Sequence, residues 1–511
     1  MKIERKQRQL LIAPIAAFGI MGVHAALAQS SDPSGTSLQD QVKILQQKVD
    51  ELTRKVDADK GPEHQAPRSD VDQSPSPNRA VIGKEAEAAP KIPGPPTLTW
   101  NGVTLYGTID AGVAYLSHGA PLSPLYGPGL PFVVQNFSNH PITSVADNGL
   151  SQSKIGLSGI EPLGALDLKG VFKLETGFNP TSGRLADGPG SLVNDNGRSN
   201  STKVTGSDSS RAGQPFEGGA YAGIASDLLG TLTFGRQNSL MADDLIKYDP
   251  QLQAQAFSPL GYSGTSGGLG DTENKIMDNV LKYGYAYGPG RIAVLYEFGS
   301  HAVVPEGSQS VDIGADFAGA SVDAIYGKVQ GAVSATSLTT SQNTAAPGTL
   351  AGTVSDNTSF ALLASYTLQP VKIYAGYEHM RFADPADPLP VGTVTVGGYV
   401  LSVVNNTAYK IDKILEYSWV GVRYSVTKNF DLTTAYYHFE QNSYNANHCA
   451  NDTSSSCSGA FRDASIVADY RWTRRFDSYA GVNYSSGSNG LASGFLYNTA
   501  WAPMIGVRFN F

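Results

Sequence analysis

The sequence has no long hydrophobic run beyond its first 28 residues, no excess of positive charge and only two cysteines. A membrane-spanning helix needs about 18 or more apolar residues in succession, so a helical membrane protein is excluded. The formal net charge of −8 argues against nucleic-acid binding, which depends on Lys and Arg neutralising phosphates. Glycine, tyrosine and phenylalanine are plentiful, at 56, 25 and 19 residues. That composition is typical of short strands, turns and long polar loops.

Residues 1–28 predict a secretory signal peptide. They combine a basic start, an apolar stretch from Leu10 to about Val23 and the small-residue site Ala26-Leu27-Ala28. Cleavage there removes four Lys/Arg and one Glu, which changes the net charge from −8 to −11. The sequence therefore predicts an acidic, exported protein.

Residues 29–97 predict an extension with two parts. From Leu38 to Val56, apolar residues recur at spacings of four and three, which predicts a periplasmic coiled-coil helix over residues 29–59. Valine at the a positions of the heptad and leucine at the d positions favour a coiled coil of two helices. A lone amphipathic helix is the alternative. Residues 60–97 contain eight prolines and predict a stiff linker.

Beyond residue 97, apolar and polar residues alternate with the period of a β-strand. In the hairpin 151–178, Ile155 and Leu157 alternate with polar or small residues, and Leu166, Leu168, Phe172 and Leu174 do so after the turn at 161–164. A soluble sandwich would bury the apolar face in a core, whereas a membrane barrel would turn it outward to lipid and keep charge in a wet lumen. The pattern predicts strands near residues 100–117, 151–160, 165–178, 216–227, 230–239, 277–287, 290–299, 309–318, 320–330, 357–369, 371–382, 412–426, 430–441, 462–472, 475–486 and 497–511.

The connections favour the membrane barrel. Short turns alternate with long polar loops, which the sequence places at 118–150, 179–215, 240–276, 300–308, 331–356, 383–411, 442–461 and 487–496. A sandwich has no reason to place every long loop at one end, whereas outer-membrane barrels have short periplasmic turns and long external loops. We therefore expect an all-β fold over residues 98–511, a transmembrane antiparallel barrel of about sixteen strands.

Several motifs in this order resemble the Gram-negative general porins, in particular the trimeric porins of beta-proteobacteria and Neisseria. They are SKIGLSG at 153–159, FKLETGF at 172–178, GAYAGIASDLLGTLTFGRQ at 219–237, NVLKYGYAY at 279–287, RWTRRFDSYAGVNY at 471–484 and GVRFNF at 506–511. The resemblance implies a homotrimer in outer-membrane lipid and an assembly signal at Phe511 that the barrel-assembly machinery reads. It also implies that the third long loop folds into the barrel, with its acids facing a basic wall.

Strand parity and the resemblance together give candidate constriction residues. The basic set is Lys154, Lys169, Lys173, Arg236, Lys282, Arg423 and Arg508, and the acidic set on the inward loop is Asp243, Asp244, Asp249, Asp271 and Glu273. Strict alternation would place Arg236 on the same face as Leu232 and Phe234, so an inward Arg236 requires a bulge at Gly235 or a position above the apolar band. For any single member of these sets, a solvated charge away from the constriction is the alternative.

Other chemistry has little support in the sequence. Cys449 and Cys457 predict a local disulfide in an oxidising compartment; free thiols, or a metal site with His448 that lacks a fourth ligand, are the alternatives. The two histidines within strands, His379 and His438, do not neighbour a nucleophile in a recognisable motif. We therefore expect no enzyme activity, no cofactor and no metal.

The sequence thus predicts an outer-membrane porin for passive diffusion of small hydrophilic solutes and ions. One alternative is a channel selective for sugars or anions. Another is a structural protein whose N-terminal extension tethers the outer membrane to peptidoglycan.

Overall fold

The computed structural model describes residues 98–119, 140–164, 167–181, 183, 215–261, 276–299, 307–336, 338–396, 399–493 and 497–511. The predicted signal peptide, coiled-coil helix and linker, all within residues 1–97, lie outside the described residues. Asp271 and Glu273 of the predicted acidic set also lie outside them.

Twenty strands and two α-helices make up the described chain. The strands are β1 (Leu98–Trp100), β2 (Val103–Gly119), β3 (His140–Asp147), β4 (Lys154–Pro162), β5 (Lys169–Gly177), β6 (Gly219–Ser226), β7 (Gly230–Asn238), β8 (Ile276–Tyr287), β9 (Gly290–Glu297), β10 (Gly307–Phe317), β11 (Ala320–Thr336), β12 (Leu350–Leu368), β13 (Val371–Ala383), β14 (Val394–Val396), β15 (Tyr399–Asn405), β16 (Lys413–Thr427), β17 (Phe430–Gln441), β18 (Gly459–Arg471), β19 (Phe476–Asn489) and β20 (Thr499–Asn510). The helices are α1 (Leu240–Tyr248) and α2 (Thr340–Ala345), and two short 3₁₀ turns lie at Pro259–Gly261 and Gly490–Ala492. Within this described part of the chain, neither helix has the length and apolar character needed to cross a membrane.

Sixteen of the described strands close into a ring, namely β2, β4–β13 and β16–β20. Each pairs antiparallel with the next strand of the ring, and β20 pairs with β2 from Thr108↔Asn510 to Ala114↔Met504, which closes the barrel. The other four strands extend the ring: β3 continues the pairing of β2 beyond β4, β1 pairs with the start of β2, and β14 and β15 form a hairpin beside β12. The prediction of a closed antiparallel barrel of about sixteen strands is confirmed.

The outer face of the barrel is apolar. On β20, Trp501, Ile505 and Val507 are 45–62% exposed, whereas the alternating residues Ala502 and Met504 are buried inside. The same alternation exposes large apolar side chains on most of the other barrel strands, for example Ile313 on β10 and Leu362 on β12. A continuous apolar outer surface of this kind is what lipid requires of a spanning barrel.

Several predicted loops contain helices or strands: β3 lies in the predicted loop 118–150 and α1 in the predicted loop 240–276. The predicted loop 331–356 is largely strand, because β11 runs on to Thr336 beyond a bulge after Val329 and β12 begins at Leu350. Between them, Thr339 and Gln342 form a capping box that starts α2. The predicted loop 383–411 carries the β14–β15 hairpin, whose β15 pairs in parallel with β12. These strands extend one side of the barrel at the long-loop end.

The barrel interior is apolar on one side. A hydrophobic cluster joins Leu240, Met241, Leu245 and Tyr248 of α1 to inward-facing residues of β8, β9, β11, β12, β16, β17 and β18. The segment 239–261 that follows β7 therefore lies inside the barrel against the wall. The inner face beneath it is apolar because the inserted helix must bury its own apolar side chains.

Candidate pore constriction

Helix α1 forms because its sequence supplies both a start and a buried face. The Ser239 side chain accepts a hydrogen bond from the Ala242 N–H at 3.2 Å, which caps the amino end. Asp243 lies in the first turn and Lys247 in the last, where each charge is favourable to the helix dipole. The helix ends at Tyr248, and the N–H of the next residue, Asp249, donates to the Leu245 carbonyl oxygen at 2.8 Å. One face of α1 is therefore packed and the other is free to carry charge.

The chain after α1 crosses the barrel interior and is fastened along it. The Trp419 indole N–H donates to the Tyr248 carbonyl oxygen at 3.0 Å, and the Tyr437 hydroxyl donates to the Asp249 carboxylate at 2.5 Å. Farther along, the Gln251 amide donates to the Ser465 hydroxyl at 2.9 Å and Phe257 packs edge-to-face on Tyr479. We call the inward-facing residues of β8–β13 and β16–β19 that hold segment 239–261 the packed wall.

A glycine on the packed wall shows how closely the segment approaches. A Cβ at Gly421 of β16 would lie 2.2 Å from Cγ of Pro250. Any side chain at this position would push the segment away from the wall. The wall is thus shaped for the inserted chain and has no space for water at this point.

The opposite side of the lumen is charged. Lys154 and Lys173, on β4 and β5, both form ion pairs with Glu175, at 3.1 and 3.3 Å. The same carboxylate accepts a hydrogen bond from the Tyr106 hydroxyl at 2.9 Å. Because two cations share one anion, this group carries a net positive charge. We call Lys154, Lys173, Glu175, Arg236 and Lys282 the charged wall.

Arg236 reaches the charged wall through a bulge at Gly235. The pairing of β7 with β8 shifts register between Gly235 and Gln237, and Gly235 has a φ of 124°, a conformation that favours glycine. Phe234 therefore stays outward and 52% exposed, while Arg236 turns inward and is 7% exposed. Its guanidinium pairs with Asp278 at 2.7 Å and donates to the Glu217 carbonyl oxygen at 2.8 Å.

Glu217 adds a titratable group beside Arg236. Its carboxylate accepts hydrogen bonds from the N–H groups of Gly177 and Gly218, both at 2.7 Å. Burial disfavours the charged carboxylate and raises the pKa of Glu217 to about 7. The charge next to Arg236 therefore changes near neutral pH.

Helix α1 contacts the charged wall through an ion pair. The Lys282 ammonium of β8 lies 2.5 Å from the Asp243 carboxylate of α1, which also accepts a hydrogen bond from the Asn238 amide at 2.9 Å. Lys282 also donates to the Asn238 carbonyl oxygen at 3.0 Å. Of the predicted acidic residues that the structure describes, Asp243 is the one brought against the predicted basic residues.

The other two described acids of the predicted set face away from the charged wall. Asp249 is fully buried, with its carboxylate on the Tyr437 hydroxyl and on two backbone N–H groups of the inserted segment. Asp244 is 8% exposed and lies beside Asp312 and Asp323 of the packed wall. Burial raises the pKa of both carboxyls, and for Asp244 the neighbouring Asp312 and Asp323 raise the pKa further.

Three predicted basic residues lie away from Asp243. Lys169 is at the short-turn end, where it pairs with Asp227 at 3.3 Å and with Asp167 at 3.6 Å. Arg508 pairs with Asp477 at 2.7 Å. Arg423 donates to the Pro250 carbonyl oxygen at 3.1 Å and so helps to hold the inserted segment.

Strand alternation could have identified one residue that our sequence analysis missed. Arg291 of β9 alternates with the outward-facing Ile292 and Val294, so parity places it inside. Its guanidinium pairs with Asp323 at 2.5 Å and with Asp316 at 3.0 Å, and the Lys247 ammonium joins this group 3.4 Å from Asp316. The partners lie on β10, β11 and α1, and their proximity depends on the path of the inserted segment.

The two remaining sequence features lie at opposite ends of the barrel. Cys449 and Cys457 form a disulfide in the connection between β17 and β18, with their Cα atoms 4.8 Å apart. Phe511 exchanges backbone hydrogen bonds with Gly107 at 2.9 and 3.0 Å, which extends the β2–β20 seam to the last residue.

Comparisons with known proteins agree with this architecture. The family described as Gram-negative porin matches residues 85–490. An outer membrane porin protein of Bordetella pertussis is 30% identical over 195 residues, which are 36% of this chain and 46% of that protein, so the match spans less than half of the relative's length.

Two solved structures have a similar fold. The anion-selective porin from Comamonas acidovorans superposes with a TM-score of 0.53 at 15% identity, over 80% of this chain and 99% of that chain. A loop L8 deletion mutant of OmpT, an outer membrane protein of Vibrio cholerae, superposes with a TM-score of 0.50 at 14% identity, over 80% and 99%. The family match covers most of the barrel, and the barrel has the closed sixteen-stranded form and apolar outer face described above. The chain therefore belongs to the Gram-negative porin family of the outer membrane.

Proposed function

We propose that the chain forms a water-filled channel for passive diffusion of small hydrophilic solutes and ions, with its constriction between α1 and the charged wall. The observation that carries this proposal is the contact of Asp243 with Lys282, because it brings an acid of the inserted helix against a base of the charged wall. Fixed charges of opposite sign on facing walls produce a transverse field that screens solutes by charge and size. Such a channel requires no reacting group.

The charge balance of the constriction supports weak selectivity. Lys154, Lys173, Arg236 and Lys282 face the acids Glu175, Asp278 and Asp243. Four cations against three anions leave one positive charge, which the ionisation of Glu217 would cancel. Lys154 has a side chain that is 35% exposed, so its charge is the most accessible to a passing ion. We infer a small preference for anions when Glu217 is protonated, and selective uptake of one anion class is the second candidate function.

The same proposal includes the setting of the channel. The apolar outer face contacts lipid, three copies associate through their outer faces, and the barrel-assembly machinery reads Phe511 at the end of β20. Residues 29–97 extend into the periplasm after cleavage of residues 1–28. The alternative from another class is that this extension binds peptidoglycan and that the protein is chiefly a tether.

Single-channel recording in planar bilayers tests the proposed function. The purified protein should give large ohmic current steps, and the triple variant Lys154→Gln, Lys173→Gln and Arg236→Gln should shift the reversal potential in a salt gradient toward cations. Lys169→Gln is the matched control, because it removes one lysine at the short-turn end. Block of the current by one solute would favour the selective channel.

Absence of conductance from correctly folded protein would contradict the proposal and leave the tether. An unchanged reversal potential in the triple variant would remove these residues from the constriction. Deletion of residues 30–97 should leave the conductance intact if the extension acts only as a spacer or assembly aid.

A further inference from the structure

A cluster of carboxylates lies where α1 meets the wall, outside the constriction. One oxygen from each of Asp244 on α1, Asp312 on β10 and Asp323 on β11 lies within 4.8 Å of the other two. The three side chains are 8%, 6% and 2% exposed. Three buried carboxyl groups this close repel one another strongly when ionised, unless a positive charge lies among them.

The cations present do not satisfy this cluster. The Arg291 guanidinium forms ion pairs with Asp323 and Asp316. The Lys247 ammonium lies 3.4 Å from the Asp316 carboxylate and 3.6 Å from the Asp323 carboxylate. With Asp316 included, four carboxyl groups face two cations.

Two oxygen atoms in the cluster lack partners. Oδ2 of Asp244 and Oδ1 of Asp312 are buried and have no hydrogen-bond partner in the described part of the chain. Asp323 is better satisfied, since Arg291 and the Tyr248 hydroxyl bind its oxygens. A carboxylate has about four lone-pair sites, so Asp323 can still accept one further contact. The two oxygens without partners therefore lie on different elements, that of Asp244 on α1 and that of Asp312 on β10.

We propose that Asp244, Asp312 and Asp323 bind a divalent cation of the Ca²⁺ type, which fastens α1 to the packed wall. Ca²⁺ binds carboxylate oxygens at about 2.3–2.6 Å, so oxygens on one ion lie at most about 5 Å apart. The observed spread of 4.8 Å meets this limit. The ligands are all hard oxygen donors, without the imidazole or thiolate that zinc and copper prefer. Water would complete the six to eight ligands that Ca²⁺ takes.

The position of the cluster gives the ion a route and a function. Asp316, which lies next to the short turn between β10 and β11, has a side chain that is 37% exposed and borders the cluster through Arg291. An ion entering from the short-turn end could therefore reach Asp312 past this residue. Once bound, it would join α1 to β10 and β11 and fix the distance of Asp243 from the charged wall. The cation would act on the pore through the position of the helix.

Calorimetric titration of the EDTA-treated full chain in detergent with Ca²⁺ tests the proposal. We expect one Ca²⁺ per chain, with a dissociation constant of about 10⁻⁴–10⁻³ M or tighter, and a higher unfolding temperature in Ca²⁺. Asp244→Asn and Asp312→Asn should each weaken binding at least about tenfold. Asp463→Asn is the matched control, because Asp463 is an equally buried carboxylate with an unpartnered oxygen on β18; this variant should bind as the wild type does.

Folding is checked independently by the shift in gel mobility on heating. If a ligand variant does not fold, the wild-type titration still decides: no saturable Ca²⁺ binding and no stabilisation would overturn the proposal. Unchanged binding in folded Asp244→Asn and Asp312→Asn would also overturn it. Both readouts are independent of conductance, so they can fail or succeed separately from the proposed channel function.

Discussion

The packed wall and the charged wall belong to one barrel but differ in what their inward-facing side chains contact. On the packed wall, inward residues such as Leu363, Tyr417 and Trp419 are buried against α1 and behave as a protein core. On the charged wall, Lys154 and Lys173 share Glu175, and Lys154 remains partly exposed to the lumen. The difference shows that one side of the barrel interior is packed like a protein core, whereas the other side carries charged side chains. The inserted segment is held by burial of apolar side chains on one side and presents charge on the other.

Contacts at the two walls contribute different amounts to the stability of the docked helix. Burial of a side chain such as Leu245 contributes several kcal/mol to the docking of α1. An ion pair such as Lys282 with Asp243 is partly exposed, and pairs of this kind contribute about 1 kcal/mol or less to stability. We therefore expect packed-wall substitutions to affect stability and gating, and charged-wall substitutions to affect ion preference.

The largest effect is expected from Leu245→Ala on α1. Leu245 is fully buried, so the change should cost about 2–5 kcal/mol of docking energy. The helix should then detach part of the time, which gives noisier and larger current steps and a lower unfolding temperature. Ile246→Ala is the control, because the neighbouring side chain is 51% exposed; equal effects of the two variants would remove the packed wall as the support of α1.

Asp243→Asn should have a smaller effect, confined to ion preference. Loss of this charge leaves Lys282 without its carboxylate partner. A unit charge at about 4 Å in water is worth about 1 kcal/mol, or about fivefold in ion concentration, so anion permeability relative to cations should rise by up to about fivefold. Asp227→Asn changes the same charge at the short-turn end and should have little effect. A shift toward cations in Asp243→Asn would contradict the assignment.

The smallest expected effect is a pH dependence near neutrality. As pH rises through about 7, the pKa of Glu217, this group loses its proton and adds a negative charge beside Arg236. A unit charge about 10 Å from a passing ion is worth about 0.4 kcal/mol, so anion preference should fall about twofold between pH 6 and pH 8. Glu217→Gln should abolish this change; an equal change in the variant would show that another group titrates.

The fold was predictable because alternation is a local property. Each barrel strand carries its own period-2 signal, and the turns between them carry Pro and Gly, so the number of strands followed from the sequence. The inward position of Arg236 was also accessible, since Gly235 interrupts the alternation where a bulge is required. Extensions such as β14 and β15 were missed because they lie in segments that also read as polar loops.

The arrangement of the constriction could not be derived in the same way. Whether Asp243 or Asp244 faces the basic residues depends on the rotation of α1 about its axis, which is set by the contacts of Leu245 and Tyr248 with strands far away in sequence. The pairing of Arg291 with Asp323 likewise depends on register between β9, β10 and β11. Contacts of this type are tertiary, and no local pattern records them.

The proposed channel function requires ions to pass along the charged wall. The chain's two cysteines are joined to each other, so Lys154→Cys introduces one free thiol at that wall and Ala361→Cys introduces one at the packed wall. We predict that a bulky charged methanethiosulfonate reagent reduces the single-channel current of Lys154→Cys in steps and leaves that of Ala361→Cys unchanged. If mass spectrometry shows that Lys154→Cys is labelled and its current does not change, ions do not pass the charged wall and the proposed constriction is wrong.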